Sequence, residues 1–508
     1  MHGTLFFNEV MKPNFVKKLD ANFLFPFFTI CQYFSKGDNM TLTLNQKDTG
    51  YRGIWYYNQP SGDEYVYKYS GGLGTYCAKH RPFAVYRPEV EKTFFCYGGT
   101  PVDAHLKHAK EDLNGDRAFS RNRSGFLLHM ISYFDHKTRQ VPQPTILLDK
   151  NTADAHDNPV ISIDDNGYIW IFSTAHGLSR PSYIHRSAKP YTIDEFEQID
   201  ATYRFNGEEQ PMDNFSYMQA WHLPGRGFIN FVTRYKDPAD RTLFFMTSPN
   251  GVKWSEWTRL AAIEKGHYQI SICSNHKAVT AFNYHPAPHG LNWRTNLYYL
   301  ETPDFGQTWQ NAAGDPVEIP LTTPHNNALV RDYEAEGLKV YLKDIRLDPQ
   351  GNPVILVITS KGYESGPEND PRTWTLLQWT GSDWHAHPIT TSDSNYDMGS
   401  LYLETDGTWR VIAPTETGPQ PYNPGGEMAM WERSGQTWKR VVQLTQNSTR
   451  NHTYARSPVN AHPDFYALWA DGNARRASKS CLYFCDKKGN VYQLPEKMER
   501  DFEYPISL

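Results

Sequence analysis

The chain has 508 residues, with 51 Lys+Arg against 56 Asp+Glu and a formal net charge of −5. That near-neutral balance, with no block of Lys or Arg, leaves no electrostatic footprint for a nucleic-acid backbone. Aromatics make up 14% of the residues, and 35 Gly and 34 Pro are spread along the chain, a composition of short strands and tight turns that excludes long helices as the dominant element.

The first 40 residues stand apart. An apolar run from Phe23 to Phe34 follows Lys17 and Lys18 and contains Pro26. It is too short to span a bilayer. It has the length of a signal-peptide core, but no small-x-small cleavage site follows. Residues 1–40 therefore read as an N-terminal extension or a poor targeting segment, and residues 41–508 as one folded domain. A periplasmic or otherwise extracytoplasmic location is expected, with the cytoplasm as the alternative.

The next block is dense in unusual residues: Gly50-Tyr-Arg-Gly-Ile-Trp-Tyr-Tyr-Asn-Gln-Pro60, Lys68-Tyr-Ser-Gly-Gly-Leu-Gly-Thr-Tyr76 and Lys79-His-Arg-Pro82. Glycines permit close backbone approach, and aromatic faces suit sugar rings. His80, between Lys79 and Arg81, should stay neutral at pH 7 because two cations flank it.

From there one scheme recurs. An alternating apolar run meets a Gly-containing turn rich in Asp and Asn, and a second run follows, as in 161–172, 345–357, 401–412 and 483–492. Each reads as a β-hairpin. A second signature, Thr302-Pro-Asp-Phe-Gly-Gln-Thr-Trp309, has the Ser/Thr-x-Asp-x-Gly-x-Thr-Trp form of an Asp box, and Ser248–Trp254 is a version one residue shorter. Trp254 and Trp309 lie 55 residues apart, and Trp384 and Trp438 lie 54 apart. A period of that order, with about four strands per unit, is the signature of propeller blades. The expected fold is all-β: a seven-bladed β-propeller of four-stranded antiparallel blades in a single domain. Two packed β-sandwiches would not explain the period. Cys481 and Cys485, four apart on one strand face, read as buried thiols, with a zinc pair as the other option.

In a propeller, polar side chains at strand ends converge on the channel mouth. His156, in Asp154-Ala-His-Asp-Asn-Pro159, enters an apolar strand, and His136 sits in a hairpin turn before it. Tyr217 precedes another strand, and Gly227-Phe-Ile-Asn-Phe-Val-Thr-Arg-Tyr235 ends in a cation and a phenol, Arg234 and Tyr235. His285 and Lys343 repeat the theme. No pair has the helical spacing of a metal motif, so the metal ligands stay unassigned.

These residues resemble the BNR-repeat propellers that include ulvan lyases and the enzymes cleaving L-rhamnose-α-1,4-glucuronate in arabinogalactan. The resemblance runs from about Gly50 onward and rests on the Gly50–Pro60 opening, the Lys68–Tyr76 block, the Asp154–Pro159 loop and Asn283-Tyr-His-Pro286. It implies a pair of histidines about 20 residues apart and then a Tyr and an Arg about 16 apart. His136 and His156 are 20 apart, and Tyr217 and Arg234 are 17 apart. On that footing Arg234 neutralises a uronate carboxylate, His156 is the base, Tyr217 the acid, and His136 orients the carboxylate or the base. Tyr235, His285, Gln59 and Lys343 are expected to bind substrate. In the rhamnosidase branch a histidine on the opposite face is catalytic and glutamine replaces it in inactive relatives. Gln59 and His80 are both candidates for that position.

The resemblance implies an enzyme that removes terminal rhamnose from glucuronate by β-elimination. An α-L-rhamnosidase acting on the same linkage, or a propeller that binds glycan without cleaving it, are the alternatives. The partner is an oligo- or polysaccharide, with no nucleic acid and no membrane span. No cofactor is required for the chemistry, and a structural calcium ion in the channel is implied.

Overall fold

The computed structural model describes residues 43–508, except 75–78, 104–126, 178–179, 213–214 and 275. The extension expected over residues 1–40 lies outside the described residues, as does Tyr76.

The turn chemistry does what its residues dictate. In the hairpin after Pro159–Ile163, the Asp164 carboxylate accepts the backbone N–H of Asn166 and of Tyr168, at 2.9 and 3.0 Å. Gly167 takes a φ of +81° there, which a side chain would resist. That turn sets Ile161 opposite Ile171 and Ile163 opposite Ile169, all buried. The hairpins expected at 345–357, 401–412 and 483–492 pair in the same way.

The Asp boxes also form. Asp304 accepts the N–H of Thr308 at 2.8 Å, and Thr302 Oγ1 accepts that of Gly306 at 2.7 Å. The box aims Trp309 at Phe245 of the preceding sheet, with ring centroids 5.0 Å apart. Trp254 likewise meets Phe172 one sheet earlier, at 6.1 Å. Each box thus staples a sheet to its predecessor, which gives the tryptophan period its physical meaning.

Among the described residues there are ten sheets, and the only helical segments are three short 3₁₀ turns. Seven sheets have four or five strands. An eighth has three strands: Thr202–Phe205 and Glu208–Pro211, with Lys253–Trp254 in parallel. Eight sheets of three or more strands therefore stand where seven uniform four-stranded units were expected. The difference arises because residues 202–211 form an extra hairpin between two larger sheets, without Asp-box punctuation to announce it. The architecture is an all-β propeller.

The first strands of successive sheets touch in order: Pro159–Ile163, Ser216–Leu223, Gln269–Cys273, Lys339–Leu347 and Ser400–Leu403. The ring continues through Asn451–Arg456, where Ser400 Oγ donates to the Ala455 carbonyl at 2.9 Å. It closes where the Val459 N–H donates to the Ala84 carbonyl, also at 2.9 Å. The glycine-aromatic block near the start forms a two-stranded hairpin, Trp55–Pro60 with Tyr67–Gly72, lying on Asn451–Arg456 and Ala467–Gly472. A Cβ on Gly72 would stand 2.5 Å from the Asp471 carbonyl oxygen, so glycine is required for that approach. Cys481 and Cys485 are buried free thiols. No helix among the described residues is long and apolar enough to cross a membrane.

The interior holds many neutral imidazoles. Burial lowers the pKa of His80 to about 3 and those of His185 and His267 to about 4, and pushes His129 and His285 well down. A depressed folded pKa gives stability that is present above the unfolded value, about 6.5, and lost as pH falls toward the folded one. Burial raises Asp157 and Asp393 to about 6 and Asp397 well above its usual range, which acts in the opposite direction. The imidazoles outnumber these carboxyls, so the melting temperature should fall by more than about 5 °C between pH 7 and 5. A flat melting profile over that range would contradict this account.

Candidate functional site

The 3₁₀ turn Ala155–Asp157 leads into Pro159–Ile163 and is capped by Asp154, whose carboxylate accepts the His156 N–H at 3.0 Å. The same carboxylate meets two imidazoles, His156 Nδ1 on one oxygen and His176 Nδ1 on the other, the latter at 2.8 Å. The two rings stack with centroids 4.0 Å apart and 9° between planes. Arg180 bridges Asp154, at 3.2 Å, and Asp157. The Tyr56 hydroxyl lies 3.0 Å from His156 Nδ1. Asp154 is held well below the usual carboxylate range: burial opposes this, but the two imidazoles outweigh it. His176 is lowered to about 4, first by burial and then by His156. A carboxylate accepting from each Nδ1–H leaves the ring lone pair on Nε2, the tautomer of a base.

Tyr217 enters from the next sheet. It sits at a bulge in the register between Ser216 and Gln219, with φ of +50°. A left-handed backbone at a bulky residue is costly, and such strain clusters at functional sites. Its ring is 5.5 Å from His156 and 6.3 Å from Tyr235. Arg241 completes the group, with its guanidinium 5.3 Å from the Tyr235 ring and 5.8 Å from Tyr268. Its Nε is buried without a hydrogen-bond partner, and no carboxylate pairs with it among the described residues. His156, His176, Tyr217, Arg241 and Tyr268, with Asn58, Gln59, Pro60 and Tyr69 from the opening hairpin, line a cavity of about 240 Å³.

Of the residues expected from sequence, His156, Tyr217 and Gln59 line this cavity, and Tyr235 flanks it through Tyr217. His80 is buried beneath, with Nε2 2.9 Å from Thr174 Oγ1 and its ring stacked on Tyr217. It is neutral mainly because of burial rather than because of Lys79 and Arg81. His285 stands behind Tyr268 at 5.1 Å, and Lys343 is buried, donating to the Asn395 carbonyl.

Arg234 and His136 are elsewhere. Arg234 is at the right end of its strand but on the other side of the sheet, over Trp257 at 5.0 Å and near Asp237 at 3.5 Å. Successive strand side chains alternate sides, so a shift of one residue puts Arg234 on the far side of the sheet and Tyr235 beside the cavity. His136 lies past Asp135, which pairs with Lys92 at the end of its hairpin away from Gly99. There it bonds Thr93 and packs on Tyr86 and His462. Arg234→Ala should accordingly leave kcat/KM within about twofold, because the half-buried pair it forms with Asp237 lies away from the cavity. A large loss in steady-state assays would return Arg234 to the site.

Sequence reasoning missed His176 and Arg241. His176 is 20 residues beyond His156, the same interval that singled out His136, and follows a strand whose Ser173 pairs with Pro159. Hairpin closure brings it back to the strand start where His156 stands. Arg241 carried no signal, because it follows the polar stretch from Asp237 to Asp240 and ends no recognisable strand.

The implied calcium ion needs an oxygen shell. The His/Asp groupings that could hold an ion among the described residues, Asp154–His156–His176 and His136–His462–Asp464, each offer two imidazoles and one carboxylate. That donor set suits a transition metal and does not fit calcium.

Comparison with known proteins bears on the whole domain. An ulvan lyase of Nonlabens ulvanivorans is 24% identical over 350 residues, covering 63% of this chain and 72% of that protein. An ulvan lyase of Alteromonas sp. (strain LOR) is 22% identical over 370 residues, 66% of this chain and 73% of the relative. A solved polysaccharide lyase PL25 ulvan lyase superposes with a TM-score of 0.63 at 16% identity, over 87% of this chain and 96% of that one, and shares the fold. The BNR repeat-containing family matches residues 130–392, more than half of the sequence. The chain belongs to the BNR repeat-containing family.

Proposed function

We propose that the protein is a polysaccharide lyase that cleaves a glycan at a uronate bearing rhamnose on O4, by β-elimination. The observation that carries this reading is an arginine with no carboxylate partner among the described residues, sharing one cavity with a tyrosine and two imidazoles anchored on one carboxylate. The curated relatives named as ulvan lyases support it.

Arg241 takes the uronate carboxylate. Its charge stabilises the enolate-like anion that forms when H5 leaves, which is what makes an otherwise unreactive C–H acidic enough. The Nε2 of His156 removes H5, and the imidazolium that results is stabilised by Asp154. His176, itself held neutral by burial and by His156, shares Asp154 and fixes the orientation of that carboxylate. The C5 electron pair then forms the C4=C5 double bond as the C4–O4 bond breaks, and Tyr217 gives its proton to the departing oxygen. Gln59 and Tyr235 help frame the sugar. A polymer substrate of this kind fits an extracytoplasmic location.

The substrate is proposed as rhamnosyl-glucuronate at the ends of arabinogalactan-type chains, with an ulvan-like rhamnose–uronate polymer as the second reading because of the relatives' names. Incubation with gum arabic and, separately, with ulvan decides between them. Elimination creates an ultraviolet-absorbing unsaturated uronate together with the released sugar. Rhamnose release without new absorbance would replace the lyase by an α-L-rhamnosidase, and no release from either polymer would leave a glycan-binding propeller.

A further inference from the structure

The inner strands run from one mouth of the channel to the other. Their starts carry His156, Tyr217 and Tyr268, whereas Trp221, Arg346 and Arg456 lie toward their ends. At those ends lies a second cavity, of about 490 Å³ against 240 Å³ for the first, and none of its lining residues belongs to the catalytic group.

Three guanidinium groups converge on it. Arg81 meets Asp344 at 2.8 Å, and Arg346 meets the same carboxylate oxygen at 3.1 Å. Arg456 donates to the Lys343 carbonyl at 3.2 Å and to the Tyr454 hydroxyl at 3.1 Å, and pairs with no carboxylate among the described residues. Its Nε is buried without a partner among the described residues, in a residue 5% exposed. Asp344 lies behind the lining, and the acid within it, Glu404, is already engaged by Lys487 at 2.9 Å and Arg410 at 3.7 Å. Three cations against Asp344 leave a net positive charge in a partly desolvated recess. Arg81 is lowered to about 10, first by burial, with repulsion from Arg346 and Arg456 adding to it. A bound anion would relieve that repulsion.

A single oxyanion would fill little of such a volume. The remaining walls include Trp221, Tyr402 and Tyr466, and guanidinium forks beside aromatic faces suit a carboxylate attached to a sugar ring.

We propose that this opposite mouth of the channel is a second, non-catalytic binding site for a carboxylate-bearing saccharide. The identity of the ligand rests on the uronate-lyase reading, whereas the site itself rests on the cavity and its three arginines.

The test is calorimetric titration of the full chain carrying His156→Ala, which spares the probe from cleavage, with rhamnosyl-α-1,4-glucuronate disaccharide. Two sites are expected. Arg456→Met should weaken only the second, by at least about tenfold, the effect of losing a hydrogen bond to a charged group. Thr405, exposed at the rim, offers a variant that leaves the packing intact: Thr405→Glu should weaken the second site and Thr405→Lys should not. With His156 restored, none of these substitutions should change kcat. A single site in the parent, or a second site indifferent to Thr405→Glu, overturns the proposal. Inorganic sulfate, or the carboxyl-reduced disaccharide, binding there as tightly as the uronate overturns the saccharide assignment. Loss of the lyase reading would show as absent elimination with the two-site titration unchanged, so the two failures are distinguishable.

Discussion

Replacing Arg241 by alanine should lower kcat/KM by about a thousandfold while leaving the thermal melt close to that of the parent. The size follows from its place: a preorganised cation on the group that takes up further negative charge as H5 departs is commonly worth 10²–10³ in rate. The intact melt follows from its surroundings, since Arg241 pairs with no described carboxylate and touches Tyr235 and Tyr268 through ring faces. Arg241→Lys should recover little, because a compact ammonium cannot hold a carboxylate at two points. Steady-state kinetics with melting curves decide the matter. Activity within a few-fold of the parent would remove Arg241 from the chemistry, whereas a parallel loss of melting temperature would make it structural.

Asp154→Asn should cost at least as much, about 10³–10⁴ in kcat, although it changes one atom. The carboxylate accepts from both Nδ1 atoms. An amide presents its NH₂ to one of them, turns that ring to the wrong tautomer, and cannot balance the imidazolium formed during proton transfer. His156→Ala should lower kcat by at least about a hundredfold, the low end of general-base contributions, while Arg241 still holds substrate. If Asp154→Asn were nearly as active as the parent, the stacked imidazoles would be a packing device and not a base.

The hairpins were legible because each is local. Asp164, Gly167 and the alternating isoleucines around them sit within a dozen residues, and period 2 with a turn admits few other structures. The Asp boxes were legible for the same reason, and their spacing carried the fold class. The three-stranded sheet was not, since its parallel pairing of Thr202 with Lys253 joins segments that share no pattern. The site divides in the same way. His156 and Tyr217 stand at strand entries and could be singled out. Arg234 and Arg241 could not be ranked, because the choice turns on which side of one sheet a side chain faces and on how a turn folds back. For His136 the interval of 20 residues was satisfied twice, and only hairpin direction separates the two solutions.

The opening hairpin has a further meaning for the order in which the molecule is made. Tyr56, Asn58, Gln59 and Tyr69 form one wall of the cavity or support it, yet the strand Tyr67–Gly72 rests on Asn451–Arg456 and Ala467–Gly472, nearly 400 residues later. While the chain is being synthesised, the segments bearing His156, Tyr217 and Arg241 emerge long before the surface that seats this wall. Chains halted before residue 451 should therefore fail to bind the disaccharide even where their central sheets have formed, which release of nascent chains of graded length would measure. On this account competence arrives with the last strands, and closing the ring is the step that completes the site.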